Sequence, residues 1–152
     1  MKICDYLVEE CILCEVKSRN KWDFFGEIAS CLAGKVRVSA EKIQKMLEER
    51  ERLGSTAIGE EIAIPHCRLE DLEKLVITAG IKREGLEFEA LDKKPVKLIF
   101  VVLAPTNESS LYLKILAHLA RILKQEKVRQ RLLAARSAQE IKKILEEVDH
   151  AF

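Results

Sequence analysis

The sequence predicts an α/β fold in which helices pack against both faces of a β-sheet. Two segments with apolar residues at helical spacing come first, a central region rich in strand-favouring residues follows, and further helical segments end the chain. The 152 residues match the size of one ordinary domain, and no linker or internal repeat divides them. We therefore expect a single domain over residues 1–152.

The two N-terminal helices are predicted from apolar spacing and from signals at their ends. A short apolar run over residues 12–16 precedes them and is predicted as a strand. Gly34 is suited to end the first helix, Ser39 to cap the start of the second, and Gly54 lies past its end. The expected apolar faces are Trp22, Phe25, Ile28, Ala29 and Leu32 in the first helix, and Ile43, Met46, Leu47 and Leu53 in the second.

The central region is predicted to form the sheet, and the C-terminal third to return to helices. Residues 62–64, 75–81, 86–88 and 96–103 are rich in residues that favour strands. A helix with a wide apolar face is expected after Ser110, followed by a short one over 128–135. Ser137 and Glu140 form a capping-box pattern that opens the last helix.

Composition excludes several classes of protein. Lys and Arg total 26 against 25 Asp and Glu, which lacks the basic excess of a general nucleic-acid binder. The longest uncharged apolar stretch, residues 98–106, is about half of the ~20 residues that span a bilayer. Acidic residues interrupt the N-terminus too early for a signal peptide, and five cysteines suit free thiols in a reducing compartment. We therefore expect a cytoplasmic protein without membrane insertion or nucleic-acid binding.

The stretch from Arg50 to His66 suggests an anion site beside a histidine. A helix ends, Ser55 and Thr56 begin a loop, and a short strand with a stiff Pro65 delivers His66. Neutral imidazole is nucleophilic near pH 7, and an arginine with nearby hydroxyls can hold phosphate oxygens. The pattern suits an imidazole that carries a phosphoryl group. A surface histidine, a solvated arginine and a simple turn are the alternatives.

The same stretch resembles the signature of a known family. Arg50-Glu51-x-Leu53-Gly54-Ser55-Thr56-x-Ile58-Gly59, followed by Ile62-Ala63-Ile64-Pro65-His66, is similar to the fructose/mannitol-type enzyme IIA domain of the phosphotransferase system. The similarity continues through residues 86–92, 95–96, 98–105, 113–123 and 131–135, and so covers essentially the whole chain. The run over 88–96, and the lack of an attached transporter domain, resemble the nitrogen-regulatory branch most.

This resemblance implies a mixed sheet between helices and reversible phosphoryl transfer that needs no metal or organic cofactor. His66 would accept a phosphoryl group from the phosphocarrier HPr or its nitrogen-branch counterpart. Arg50 and the Ser55–Thr56 loop would stabilise the phosphoryl oxygens. In the nitrogen-regulatory branch, the leading expectation, phosphorylation controls binding to potassium-transport and sensor-kinase partners. In sugar uptake, the alternative, the group passes to an enzyme IIB.

Two residues depart from the pattern of this family. Tyr112 stands where the family has a second histidine that donates a hydrogen bond to the phosphoryl group, and a phenol carries no positive charge at neutral pH. His118 lies about 9 Å further along the helix and is expected to pack rather than to replace it. Ala57 stands where relatives have glycine. If this position needs a positive φ, alanine costs on the order of 1–2 kcal/mol there. A regulatory binding module with degenerate phosphotransfer therefore stays open.

The cysteines carry the weakest alternative, a thiol or zinc protein. Cys11 and Cys14 have the C-x-x-C spacing, but no second pair follows. If their segment is a strand, the spacing places the two thiols on opposite faces. Cys67 follows His66 directly and is expected to be a bystander.

Overall fold

A computed structural model describes residues 2–149, and it confirms the predicted α/β class. No helix in this range is both long enough and apolar enough to cross a lipid bilayer. Two short 3₁₀ turns, Ile3–Asp5 and Glu9–Cys11, precede the main elements. The helices are α1 Lys21–Ala33, α2 Ala40–Arg52, α3 Ser109–Leu123, α4 Glu126–Ala134 and α5 Ala138–Val148; the strands are β1 Ala57–Gly59, β2 Ile62–Ala63, β3 His66–Leu69, β4 Val76–Leu86 and β5 Val96–Pro105.

The sheet is mixed and is built around β5. Strand β4 pairs antiparallel with one side of β5, whereas β2 and β3 pair parallel with the other side, and β1 pairs antiparallel with β2. Ala63 lies opposite Ile99 and His66 opposite Val102, so both strands advance by three residues between these pairs. Strands β2 and β3 therefore form one interrupted strand in a single register, broken only at Ile64 and Pro65.

Helices cover both faces of the sheet, as predicted. Side chains alternate along β5 because successive residues of a strand point to opposite faces. Leu98 and Phe100 lie in the core formed with α3, α4 and α5, while Ile99 and Val101 lie in the core formed with α1 and α2. The period-two pattern of the central strand therefore fills two separate cores at once.

The prediction of a strand over residues 12–16 is wrong. Leu13 forms only an isolated bridge with Gly80, and the segment follows β4 through a few hydrogen bonds, including Val16 N–H to Ile81 C=O at 2.9 Å. Residues 76–86 form one long strand, β4, with an irregular register after Ile81, so the separate strand predicted over 86–88 is wrong apart from Leu86, where β4 ends. The predictions missed β1 and β3, which are three and four residues long.

Most of the predicted helix-end signals are present. Ser39 and Ser137 accept hydrogen bonds from Lys42 N–H and Glu140 N–H, as N-caps do. The capping box of α5 is only half formed, because the Glu140 carboxylate accepts from Arg136 N–H instead. Leu53 does not belong to the inner face of α2: it follows the last helical turn and is 85% exposed.

Gly80 provides the space in which residues 12–16 and α1 approach β4. A Cβ at this position would lie 2.8 Å from Val16 Cγ2 and 3.1 Å from Phe24 Cε1. We expect Gly80→Ala to lower the free energy of unfolding by about 1–3 kcal/mol through overpacking, measured by urea denaturation. Gly34→Ala is the control, since its φ is −75° and its nearest neighbour would lie at 3.6 Å. Equal stability of the two variants would contradict this packing.

Candidate functional site

The candidate site is a cleft of about 430 Å³ at the β3 edge of the sheet. Within residues 2–149, β3 pairs with β5 alone, so helices from opposite faces of the sheet can approach each other around this edge. The end of α2, strand β3 and the start of α3 all line the cleft. It contains three of the predicted site residues, Arg50, His66 and Tyr112.

The interruption between β2 and β3 sets the position of His66. Pro65 has no N–H to donate, although its carbonyl still accepts from Val102 N–H at 3.0 Å. The Ile64 carbonyl lies 2.7 Å from His66 Nδ1. His66 therefore begins β3, rather than ending β2 as the sequence suggested, and the backbone carbonyl two residues before it holds its ring.

The two hydrogen bonds of the His66 ring define its tautomer. The Ile64 carbonyl can only accept, so Nδ1 carries the proton. Arg50 Nε–H can only donate, and it lies 3.3 Å from Nε2. His66 is thus a neutral imidazole whose Nε2 lone pair faces a guanidinium group. Nε2 is the atom available for nucleophilic attack.

The surroundings of His66 lower its pKa below the ordinary value. Burial is the main cause, because it penalises the charged ring, and the positive charge of Arg50 adds to it. The hydrogen bond to Ile64 and the negative charge of Glu51 act in the opposite direction. The balance favours the neutral, nucleophilic ring at neutral pH.

Arg50 lies in the last turn of α2 and is half-buried. Its Nη1 donates to the Gly54 carbonyl at 2.9 Å, which orients the guanidinium beside the loop that follows the helix. The same group therefore contacts the chain just past α2 and the His66 ring. An anion on Nε2 would meet this planar fork of donors directly.

The hydroxyls of Ser55 and Thr56 already have partners. Ser55 Oγ donates to the Phe88 carbonyl at 2.8 Å, and Thr56 Oγ1 donates to Glu51 Oε1 at 2.6 Å. Both residues line a small cavity of about 170 Å³ together with Arg50 and His66. They lie beside the site, but their hydroxyls already donate hydrogen bonds to neighbouring protein groups. Their role in binding a phosphoryl group stays a prediction.

A buried ion pair behind this loop was missed by the sequence reasoning. Lys21 Nζ lies 3.0 Å from Glu51 Oε2, and both side chains are almost fully buried. Glu51 also accepts from Thr56 N–H at 3.0 Å, while Lys21 donates to the Phe88 carbonyl at 3.2 Å. The only available signal was an acidic residue inside the quoted motif; nothing local identified Lys21 as its partner.

The two residues that depart from the family pattern lie in different environments, one inside the cleft and one in the sheet. Tyr112 is buried, and its ring centroid lies 5.7 Å from that of His66, so it does occupy the site. Burial raises the pKa of its phenol, which keeps it uncharged. Ala57 is not among the described residues with positive φ and pairs with Ala63 in the sheet. The strain considered for Ala57 therefore does not arise.

His118 lies away from the cleft. Its Nε2 is 3.1 Å from Asp149 Oδ1, its Nδ1 contacts Arg121, and it is buried. Asp149 also accepts from Cys4 N–H at 3.0 Å, so His118 helps to join α3 to both ends of the described chain. This matches the packing role expected for it.

The cysteine environments disfavour thiolate chemistry. All five cysteines are free, and burial raises the pKa of both Cys11 and Cys67 to about 12. Cys11 packs in the core beneath α1 and α2, whereas Cys14 packs against the other core. The C-x-x-C thiols therefore face opposite sides, as predicted, although their segment is not a strand.

Comparison with known proteins gives consistent matches over the whole fold. The family model described as "Phosphoenolpyruvate-dependent sugar phosphotransferase system, EIIA 2" matches residues 5–148. A nitrogen regulatory protein of Bradyrhizobium diazoefficiens is 35% identical over 145 residues, which cover 95% of this chain and 95% of that protein.

Solved structures agree with these sequence matches. The nitrogen regulatory protein IIA-Ntr of Neisseria meningitidis superposes with a TM-score of 0.89 at 33% identity, covering 94% of this chain and 98% of that one. The mannitol enzyme IIA of Escherichia coli, solved in complex with phosphorylated enzyme IIB, gives a TM-score of 0.73 at 25% identity, covering 92% of this chain and 96% of that one.

The buried Lys21–Glu51 pair generates a stability prediction. Glu51→Gln removes the buried counter-charge of Lys21 and leaves only the largely exposed carboxylate of Glu89, at 3.6 Å, so we expect the free energy of unfolding to fall by about 3 kcal/mol. The control is Glu48→Gln on the same helix. Glu48 pairs with the largely exposed Arg52 at 3.8 Å, and its loss should cost at most about 0.5 kcal/mol. Urea denaturation measures both, and similar losses would contradict the role assigned to the buried pair.

The environment of His66 generates a pH prediction. We expect NMR titration to give His66 a pKa below 6.5, and Arg50→Gln to raise it, because a neighbouring positive charge is removed. Since the unfolded chain keeps the ordinary pKa, it binds the proton first as pH falls below about 6.5. The wild type should therefore lose stability in that range more steeply than His66→Gln. A His66 pKa unchanged by Arg50→Gln would contradict the geometry.

Proposed function

The chain belongs to the enzyme IIA family of the phosphoenolpyruvate-dependent sugar phosphotransferase system, and on that premise we propose that it is a phosphocarrier that accepts a phosphoryl group on His66. The observation that carries the proposal is the hydrogen bonding of the ring. Nδ1–H is held by the Ile64 carbonyl, and the Nε2 lone pair faces Arg50 in an accessible cleft. This is the state that a phosphoryl acceptor needs before transfer.

The transfer exchanges one phosphorus–nitrogen bond for another. The lone pair of His66 Nε2 forms the new bond to phosphorus as the bond to the ring nitrogen of the donor phosphohistidine breaks, and its electron pair stays on the donor. The Nδ1 proton remains on His66, where the Ile64 carbonyl accepts its hydrogen bond and stabilises the positive charge that develops on the ring. Arg50 then exchanges its contact with Nε2 for the phosphoryl oxygens.

An HPr-like phosphocarrier is the proposed donor, and a protein fits the surroundings of the cleft. Leu53 and Leu113 line it and are among the most exposed large apolar residues of the described chain. Exposed apolar side chains grouped beside a cleft mark surfaces on which another protein can dock. The five free thiols support a reducing, cytoplasmic location for this exchange.

The nitrogen-regulatory role is the proposed branch, in which the phosphorylation state of His66 controls binding to a transporter or a sensor kinase. The similarity to nitrogen regulatory proteins, with a TM-score of 0.89 for one of them, supports it. The mannitol enzyme IIA, solved with its enzyme IIB, superposes with a TM-score of 0.73 and keeps transfer to an enzyme IIB as the alternative.

A binding module without phosphotransfer is the candidate of another class, and Tyr112 is the observation that favours it. The phenol cannot supply the charge of a protonated histidine. If the binding-module hypothesis is correct, the affinity for a partner protein should be the same for the wild type and His66→Gln in the presence of the phosphoryl donor.

Intact-mass spectrometry tests the phosphocarrier directly. After incubation with enzyme I, HPr and phosphoenolpyruvate, kept at alkaline pH, we expect the wild type to gain one phosphoryl group and His66→Gln to gain none. The variant still contains His118 and His150, so its lack of phosphorylation assigns the site to His66. An unmodified wild type with a donor set that phosphorylates a known enzyme IIA would reject the carrier function.

The same phosphorylated protein separates the two branches. Incubation with the enzyme IIB components of the source organism should leave the phosphoryl group on His66, while affinity for a transporter or kinase partner should differ between the phosphorylated and unmodified forms. Loss of the phosphoryl group to an enzyme IIB would establish sugar uptake instead.

A further inference from the structure

Arg68 places a second positive charge at the same cleft. It lies two residues after His66 on β3, so both side chains point to the same face of the sheet, with Cα atoms about 7 Å apart. Arg68 is exposed and lines the cleft together with His66 and Arg50. Among residues 2–149 it has no ion-pair or hydrogen-bond partner. Its charge is therefore free to meet a ligand.

The ring of Tyr112 holds this arginine. The Arg68 guanidinium carbon lies 5.1 Å from the centroid of the Tyr112 ring, within the range of a cation–π contact. The His66 ring lies 5.7 Å from the same centroid. Because Tyr112 is buried and belongs to α3, it is a fixed surface that the Arg68 guanidinium and the His66 ring both contact.

The charges of the cleft favour an anion. Arg50 and Arg68 line the cleft from different elements, α2 and β3, and Glu49 is the one acidic residue among the described residues that line it. Glu49 is exposed and precedes Arg50 on α2. Two cations against one carboxylate leave the cleft positive beside Nε2, although the whole chain is nearly neutral.

We propose that Arg68, held against the Tyr112 ring, is a second phosphoryl-binding residue that supplies the positive charge absent from position 112. Arg68 contacts the phosphoryl oxygens, and Tyr112 is a positioning residue that acts through its ring face. This inference rests on the proposed function, since the anion it binds is the phosphoryl group on His66. It explains how this chain can tolerate a tyrosine at that position.

Binding of inorganic phosphate tests the site without any phosphotransfer. We follow the His66 ring signals by NMR while titrating phosphate into the wild type and its variants. Arg68→Gln should weaken binding by about five- to tenfold, the effect of one exposed charge-assisted contact. Arg52→Gln is the matched control, because Arg52 also lies over an aromatic ring, that of Trp22 at 5.7 Å, but outside the cleft. Equal phosphate affinities of the wild type and Arg68→Gln would overturn the proposal.

Tyr112 variants test the positioning role. Tyr112→Phe keeps the ring and should weaken phosphate binding less than Tyr112→Leu does. In the Arg68→Gln background, Tyr112→Leu should have no further effect, since the cation that the ring holds is already gone. A purely structural role would weaken binding equally in both backgrounds and would overturn this part of the inference. Thermal unfolding of each variant confirms that the fold is retained.

The rate of phosphoryl transfer from phosphorylated HPr separates this inference from the proposed function. We expect Arg68→Gln to accept the group about tenfold more slowly than the wild type and Arg52→Gln. If the wild type accepts no phosphoryl group while phosphate binding depends on Arg68, the carrier function fails and the anion site stands. If the wild type is phosphorylated and Arg68→Gln matches it in rate and in phosphate affinity, the carrier stands and the role of Arg68 is rejected.

Discussion

The candidate site at the β3 edge of the sheet depends on the contacts of one buried carboxylate, that of Glu51. It pairs with Lys21 of α1 and accepts hydrogen bonds from the backbone and the hydroxyl of Thr56. An ion pair removed from water is tolerated only when its remaining hydrogen-bonding capacity is used, and here Lys21 belongs to α1 while Thr56 belongs to the loop after α2. One carboxylate thereby fixes the end of α2, and with it the direction of the preceding residue, Arg50.

The second constraint is the break in the strand that carries His66. Because Pro65 offers no N–H, the ladder on β5 is interrupted for two residues and then resumes in the same register. The Ile64 carbonyl is left to bind Nδ1 of His66, so Nε2 is turned toward Arg50. The same arginine that lowers the pKa of His66 is placed to receive an anion there. In the proposed phosphocarrier, nucleophilicity before transfer and charge stabilisation after it thus come from one contact.

The cleft also shows how a position can change its chemistry within a shared fold. The phenol of Tyr112 cannot carry the charge of a second histidine, but its ring face lies against Arg68. In the proposed site, the charge then comes from β3 instead of α3. Strand alternation makes this compensation simple, since a residue two places from the nucleophile necessarily shares its face of the sheet.

Features that depend on residues close together in the sequence could be predicted, whereas features that depend on contacts between distant segments could not. The helices with marked apolar spacing and N-cap serines were predicted within a few residues, because those signals are local. The short strands β1 and β3 were missed, because their pairing, rather than any pattern in three or four residues, defines them. Leu53 was misplaced because apolar spacing continues past the residue where the helix ends.

By itself, the sequence determined the α/β class, the two-sided packing, the family resemblance and the choice of His66 and Arg50 as candidate site residues. These depend on periodicity and on a motif confined to a short stretch. Only the tertiary structure decided that the hydroxyls of Ser55 and Thr56 donate hydrogen bonds to Phe88 and Glu51. It also decided that Arg68 contacts the ring of Tyr112. Ser55 is 33 residues from Phe88, and Lys21 is 30 from Glu51. Contacts between such distant residues exist only once the sheet has brought their segments together, so no local pattern encodes them.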